Sequence, residues 1–300
     1  MRRAMEVQMK ELRVKVGSIE LQVRDYEHGG EAIICLHFSG ANLMMWQGIV
    51  PYFQDRYRLI LVDLRGHGKS DKPHSSYHID EMAGDVLGVM HEIQLEKAHV
   101  IGSSLGAEVG LSLAANHPEK VISLVCDGAL NSEYGPYGVW EGTEAAFEED
   151  VAKQISKVGQ RPDAAYGTVD ELLAARKKLL EEYGCWNQNV EAMNAYDVYP
   201  TEDGRFRRGF PTWALQAYLE HYFRYRFEDY YRKVTCPVLM VPGEEELQDE
   251  KIKRAMQGLC KLAADGRIAE VPGWIHPYGW LLDPEGISKV VLDFLEGNKS

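Results

Sequence analysis

Basic charge is in short supply in this sequence. Lysine and arginine total 33 against 46 aspartates and glutamates, a formal net charge of −13. Nucleic-acid binding depends on a basic excess that neutralises phosphates, so the balance argues against that class of partner. It also works against long-range attraction of anionic substrates, although it leaves room for local basic patches. Cysteine is scarce too. Cys35, Cys126, Cys185, Cys236 and Cys260 make an odd set with no CxxC pair. Three of them sit in or beside apolar runs, where a free thiol packs as a small hydrophobe, so reduced thiols in a cytoplasm are the simpler reading. No apolar run is long enough to span a bilayer. Met1 to Lys10 carries charges throughout and offers no apolar core for a secretory signal. These absences lead us to expect a soluble, cytoplasmic protein without a membrane partner. Internal repeats and low-complexity tracts are also missing.

What is present suits a globular enzyme-sized chain. Apolar residues make up 45% of the 300 residues, enough to bury a core without disulfides or a structural metal. Glu11 to Val16 and Ile19 to Val23 alternate like strands around Gly17-Ser18, a plausible hairpin. Ala32 to Leu36, Tyr57 to Val62, Ala98 to Ile101 and Val121 to Val125 are continuous apolar runs, as strands covered on both faces should be. Helical patterns at Ile79 to Ile93 and Leu105 to Asn116 separate them. Strands alternating with helices predict a parallel sheet with right-handed crossovers, an α/β fold.

That alternation stops near Gly128 and resumes at Pro237. The stretch between reads as helical and aromatic-rich, with a capping box at Thr168 to Glu171 and a helix start at Pro211. We expect a core from residues 1–130 and 235–300, with 131–234 inserted as a helical lid. Beyond it come a strand at Val238 to Val241, a helix from about Gln248 to Leu262, a strand at Arg267 to Val271 and a last helix from Pro284.

The decisive segment is His99 to Ala107, where Gly102-Ser103-Ser104-Leu105-Gly106 forms G-x-S-x-G between an expected strand and an expected helix. In that context the pattern is a nucleophile elbow. The turn is too tight for side chains two residues either side of the serine, and the helix start beneath it favours a developing oxyanion. Ser103 lacks the glycine spacing, so Ser104 is the candidate nucleophile. A serine hydroxyl needs a base, and the order Ser, acid, His requires a late histidine. His276, in the loop Val271 to Pro277, is the one histidine after His221.

Together with Leu36-His37, Trp46 and the loop Asp63-Leu64-Arg65-Gly66-His67-Gly68-Lys69-Ser70, these motifs resemble the α/β-hydrolase superfamily over nearly the whole chain. The resemblance implies a mostly parallel sheet of about eight strands with a helical cap, and a structural role for Arg65 and His67. It implies an oxyanion hole from Leu105 N–H and a backbone N–H of the loop His37-Phe38-Ser39-Gly40, with Ser39 first and Phe38 second. Relatives usually carry His-Gly there, so Phe38 is a departure. The resemblance places Glu246, in Gly243-Glu244-Glu245-Glu246, at the position of the usual acid. Some relatives instead take the acid from the strand after the elbow, where Asp127 stands. Glu246 is favoured.

Such a triad carries out acyl transfer to water without a cofactor or metal. The expectation is a serine hydrolase, carboxylesterase-like, acting on a small to medium ester or related acyl compound. Carbon–carbon bond hydrolysis, lactone hydrolysis and a ligand receptor with vestigial activity are the alternatives. Serine at 104 argues against dehalogenase and epoxide hydrolase chemistry, which resembles this fold but uses aspartate. Trp186, Trp213 and Tyr218 are candidate pocket aromatics. The cluster Arg205-Phe206-Arg207-Arg208 is either solvated or meets a substrate carboxylate. Oligomeric state is open.

Overall fold

The structure, a computed structural model, describes residues 8–298; the charged start before Gln8 lies outside the described residues. The first half builds most of the sheet: β1 (Gln8–Val16), β2 (Ile19–Glu27), β3 (Ala32–Leu36), helix α1 (Val50–Phe53), β4 (Arg58–Val62), α2 (Ile79–Glu92), β5 (Ala98–Ser103), α3 (Leu105–Asn116) and β6 (Val121–Asp127). The middle contains α4 (Glu144–Gly159), α5 (Val169–Glu181), α6 (Gln188–Tyr196), β7 (Val198–Pro200), β8 (Phe206–Arg208), α7 (Thr212–Tyr222) and α8 (Phe227–Tyr231). The chain then returns through β9 (Pro237–Val241), α9 (Glu244–Gln248), α10 (Glu250–Cys260), β10 (Asp265–Ile268), α11 (Gly279–Leu282) and α12 (Pro284–Gly297).

Eight strands form one sheet in the order β1-β2-β4-β3-β5-β6-β9-β10. β1 and β2 are the expected hairpin and β2 pairs antiparallel with β4, while every pair from β4 to β10 is parallel. Burial explains why β3 reads as an unbroken apolar run. Ile34 and Leu36 enter the core on one face, and Ile33 and Cys35 enter the core on the other. Helix α3 is buried from Leu105 through Ala115, so the elbow stands on a rigid base.

Two local expectations are corrected. The last strand begins at Asp265, two residues earlier than the apolar pattern suggests, because pairing with Pro237 starts there. The middle segment is not wholly helical. β7 and β8 form a two-stranded hairpin, since Pro200 and the Asp203-Gly204 turn interrupt any helix. Among the described residues, no helix is long and apolar enough to cross a membrane.

Candidate active site

Ser104 occupies the turn between β5 and α3 with φ 49° and ψ −119°, a conformation that costs a non-glycine residue about 1–3 kcal/mol. The surrounding structure imposes it. Ser104 N–H donates to Asp127 O at 2.9 Å, and Ser104 O accepts from Ala107 N and Glu108 N at 2.8 and 3.0 Å. The two flanking glycines allow the close packing. A Cβ on Gly102 would lie 2.4 Å from Ala107 N, and one on Gly106 would lie 2.0 Å from Leu36 O. The second contact presses the start of α3 onto the end of β3. Leu105 therefore sits beside the loop His37 to Gly40, the two parts from which an oxyanion hole was expected.

His276 lies in the loop after β10 and shares a cavity of about 80 Å³ with Ser104, Glu108, Gly128, Tyr222 and Glu246. Its Nδ1–H faces Asp127 Oδ1 at 3.0 Å, which leaves Nε2 free of that carboxylate. Asp127 is fully buried at the end of β6. It also accepts from Trp274 Nε1 at 2.8 Å, Trp280 Nε1 at 2.9 Å and Ser103 Oγ at 2.5 Å. Four donors around one buried carboxylate supply the compensation that burying a charge requires.

Glu246, the favoured acid in the sequence, does not hold His276. Its Oε2 accepts from Gly243 N at 2.6 Å and its Oε1 from Ala129 N at 3.0 Å. At the third position of α9 the carboxylate turns back to cap the start of its own helix and ties β9 to the end of β6. Asp127 takes the position beside the imidazole instead. Sequence reasoning missed Trp274, Trp280 and Ser103, which hold Asp127 in place. The available signal was two tryptophans on either side of His276, since a buried indole N–H needs an acceptor.

Burial opposes the charged imidazole, but the charge and hydrogen bond of Asp127, with Glu246 and Glu108 beyond, outweigh it and raise His276 to about 9. Burial also pushes Glu108 up to about 8, against the hydrogen bond from Tyr218. Tyr218 O–H reaches both Glu108 oxygens, at 2.9 and 2.8 Å. Neighbouring Tyr222 donates to Glu133 at 2.8 Å.

The expected pocket aromatics are placed elsewhere. Tyr218 is buried against Glu108, Trp213 stacks on His74 at 3.9 Å, and Trp186 packs on the core. None of the three lines the cavities at the serine, at His276 or at the oxyanion loop. Their inward faces meet core residues, the usual fate of aromatics at helical spacing. Tyr222 and Tyr278 line those cavities instead. Arg65 is structural, bonded to Asp85 by two parallel hydrogen bonds of 2.5 and 2.7 Å, and His67 is buried and stacked on Phe210. The described residues contain no cluster of three or more candidate metal ligands.

A strand-turn-helix serine, a histidine loop after the last strand and an eight-stranded, mostly parallel sheet now stand together. The family model described as the alpha/beta hydrolase fold matches residues 31–264. The chain belongs to the alpha/beta hydrolase family. Among similar family members is 2-(acetamidomethylene)succinate hydrolase of Mesorhizobium japonicum, 28% identical over 284 residues, covering 95% of this chain and 94% of that protein. 3-Oxoadipate enol-lactonase 2 of Acinetobacter baylyi is 40% identical over 126 residues, covering 42% of this chain and 47% of that protein. A crystal structure of E-2-(acetamidomethylene)succinate hydrolase superposes with a TM-score of 0.75 at 26% identity, covering 96% of this chain and 100% of that one.

Proposed function

We propose that this alpha/beta hydrolase is a serine hydrolase that cleaves a small to medium ester or related acyl compound through an acyl-enzyme. The observation that carries the reading is the elbow serine sharing a cavity with His276, whose Nδ1–H is bonded to buried Asp127. Ser104 Oγ attacks the substrate carbonyl while His276 Nε2 takes its proton. Asp127 fixes the tautomer and stabilises the imidazolium. Leu105 N–H and Ser39 N–H, with Phe38 N–H the second choice, receive the oxyanion. His276 then returns the proton to the leaving group, and activates the water that releases the acid. Residues 131–234 act as the cap over this site, inserted between core segments 1–130 and 235–300. The hydrolase name of the Mesorhizobium japonicum relative supports water as the acceptor.

Turnover of p-nitrophenyl esters of graded acyl length is the test. Sustained multiple turnover that is lost in Ser104→Ala is expected. A single turnover followed by arrest would instead indicate a ligand receptor, and unchanged activity in Ser104→Ala would refute the serine mechanism.

A further inference from the structure

A second cavity, of about 560 Å³, opens beside the loop Phe38-Ser39-Gly40. Four arginines, Arg161, Arg176, Arg207 and Arg208, stand in its wall against a single carboxylate, Asp163. That concentration is unexpected in a chain of formal net charge −13. Two arginines are partly occupied. Arg207 reaches Asp163 at 3.4 Å, and Arg208 directs Nε and Nη2 to Asp197 Oδ1 at 3.3 and 3.1 Å, which leaves its Nη1 without a partner among the described residues. Arg176 is half-buried, donates Nε–H to Asn194 Oδ1 at 3.1 Å, is hydrogen-bonded to the Tyr278 side chain, and has no carboxylate partner among the described residues. Burial and the charge of Arg208 both hold its guanidinium below the ordinary range. A half-buried guanidinium beside a second one, with no carboxylate of its own, is a preformed receptor for an external anion.

The opposite end of the site has no arginine or lysine in its wall. Glu108 and Glu246 line the small cavity at Ser104, and Glu133 lies behind Tyr222. Between the two ends stand Phe38 and Tyr278, with ring centroids 5.4 Å apart, and Tyr278 also lines the cavity at His276. A substrate with a free carboxylate is attracted to the arginine end. It therefore lies in one direction only, its acyl group at the oxyanion loop and its charge beyond the aromatic pair.

We propose that this cavity is a carboxylate subsite, in which Arg176 and Arg208 hold a carboxylate carried on the acyl part of the substrate. The proposal rests on the serine hydrolase reading and narrows its substrate class to half-esters, half-amides or lactones of dicarboxylic acids. The test compares p-nitrophenyl hydrogen glutarate with p-nitrophenyl valerate, which differ only by carboxylate against methyl. The full-length protein should favour the glutarate in kcat/KM. Arg176→Met and Arg208→Met should each lower that ratio by between about tenfold and a hundredfold, the range for a hydrogen bond to a charged group, mainly through KM. Arg176→Lys should restore part of it. A wild-type ratio at or below one, or a ratio unchanged in Arg176→Met, overturns the subsite. Calorimetric binding of glutarate itself separates the two readings. Glutarate bound by wild type and lost in Arg176→Met, with neither ester cleaved, upholds the subsite and overturns the ester reaction. No glutarate binding, with valerate cleaved, does the reverse.

Discussion

Asp127→Asn changes one oxygen to an amide nitrogen and removes one charge from a carboxylate that is buried and fully bonded. Four donors point at it, two on each oxygen: His276 Nδ1 and Trp274 Nε1 on Oδ1, Ser103 Oγ and Trp280 Nε1 on Oδ2. The better amide orientation keeps its oxygen towards His276 and Trp274. Its NH₂ then meets Ser103, which can rotate to accept, and Trp280 N–H, which cannot. One stranded indole donor costs about 1–3 kcal/mol of stability. The other orientation sets NH₂ against His276 and forces the wrong tautomer. In both, the imidazolium loses its counter-charge, and the same replacement in a serine protease triad lowered kcat about 10⁴-fold. That corresponds to roughly 5.5 kcal/mol of barrier. We expect a loss of this order in ester turnover, with Tm lowered by only a few degrees and His276 titrating below about 9. Glu246→Gln keeps an oxygen for either Gly243 N–H or Ala129 N–H and should cost at most about tenfold, a single weakened hydrogen bond. The assay is steady-state hydrolysis beside thermal unfolding of both variants. Near-normal turnover in Asp127→Asn with a collapse in Glu246→Gln would refute the reasoning.

The same geometry sets four further outcomes. His276 acts only when neutral, so kcat/KM should climb with pH through about 9, and Glu246→Gln should shift that limb to lower pH. Its raised value also contributes stability that is complete below about 6.5 and is lost as pH rises through about 9, which urea unfolding across that window should reveal. Glu108 works differently: with its carboxyl raised to about 8 the folded state holds a proton the unfolded state has released, so stability falls from about pH 4.5 to 8. Glu108→Gln should remove that part of the fall, and equal slopes in variant and wild type would contradict it. Ser103→Ala removes one hydrogen bond to Asp127 and should slow turnover roughly tenfold, near the lower end for a bond to a charged group. Loss of probe labelling at Ser104 in that variant would assign Ser103 a larger part.

Motif spacing made the nucleophile candidate legible, because an elbow needs glycines at fixed offsets and a strand before it. His276 was legible by its place late in the chain. The choice between the two acids offered for His276 was not, for a physical reason. Asp127 ends β6 and Glu246 follows its parallel neighbour β9, so both are set at the same end of the sheet. What separates them is local: Glu246 finds two backbone N–H groups at the start of α9, and Asp127 finds two indoles and a hydroxyl. Neither set is visible as a spacing. The arginine cavity was half legible. Arg205 does face solvent, paired with Asp203, while Arg207 and Arg208 both line the cavity. Arg176, on α5, joins them only through the fold.

The central claim is that Ser104 is the reacting nucleophile, and covalent labelling tests it most directly. A fluorophosphonate probe should add one equivalent to the intact protein, and peptide mass spectrometry should place it on Ser104. Labelling should vanish in Ser104→Ala and turnover should fall by about 10⁶, the loss seen when a comparable triad serine was removed. A label on Ser103, or undiminished turnover in Ser104→Ala, would contradict the account.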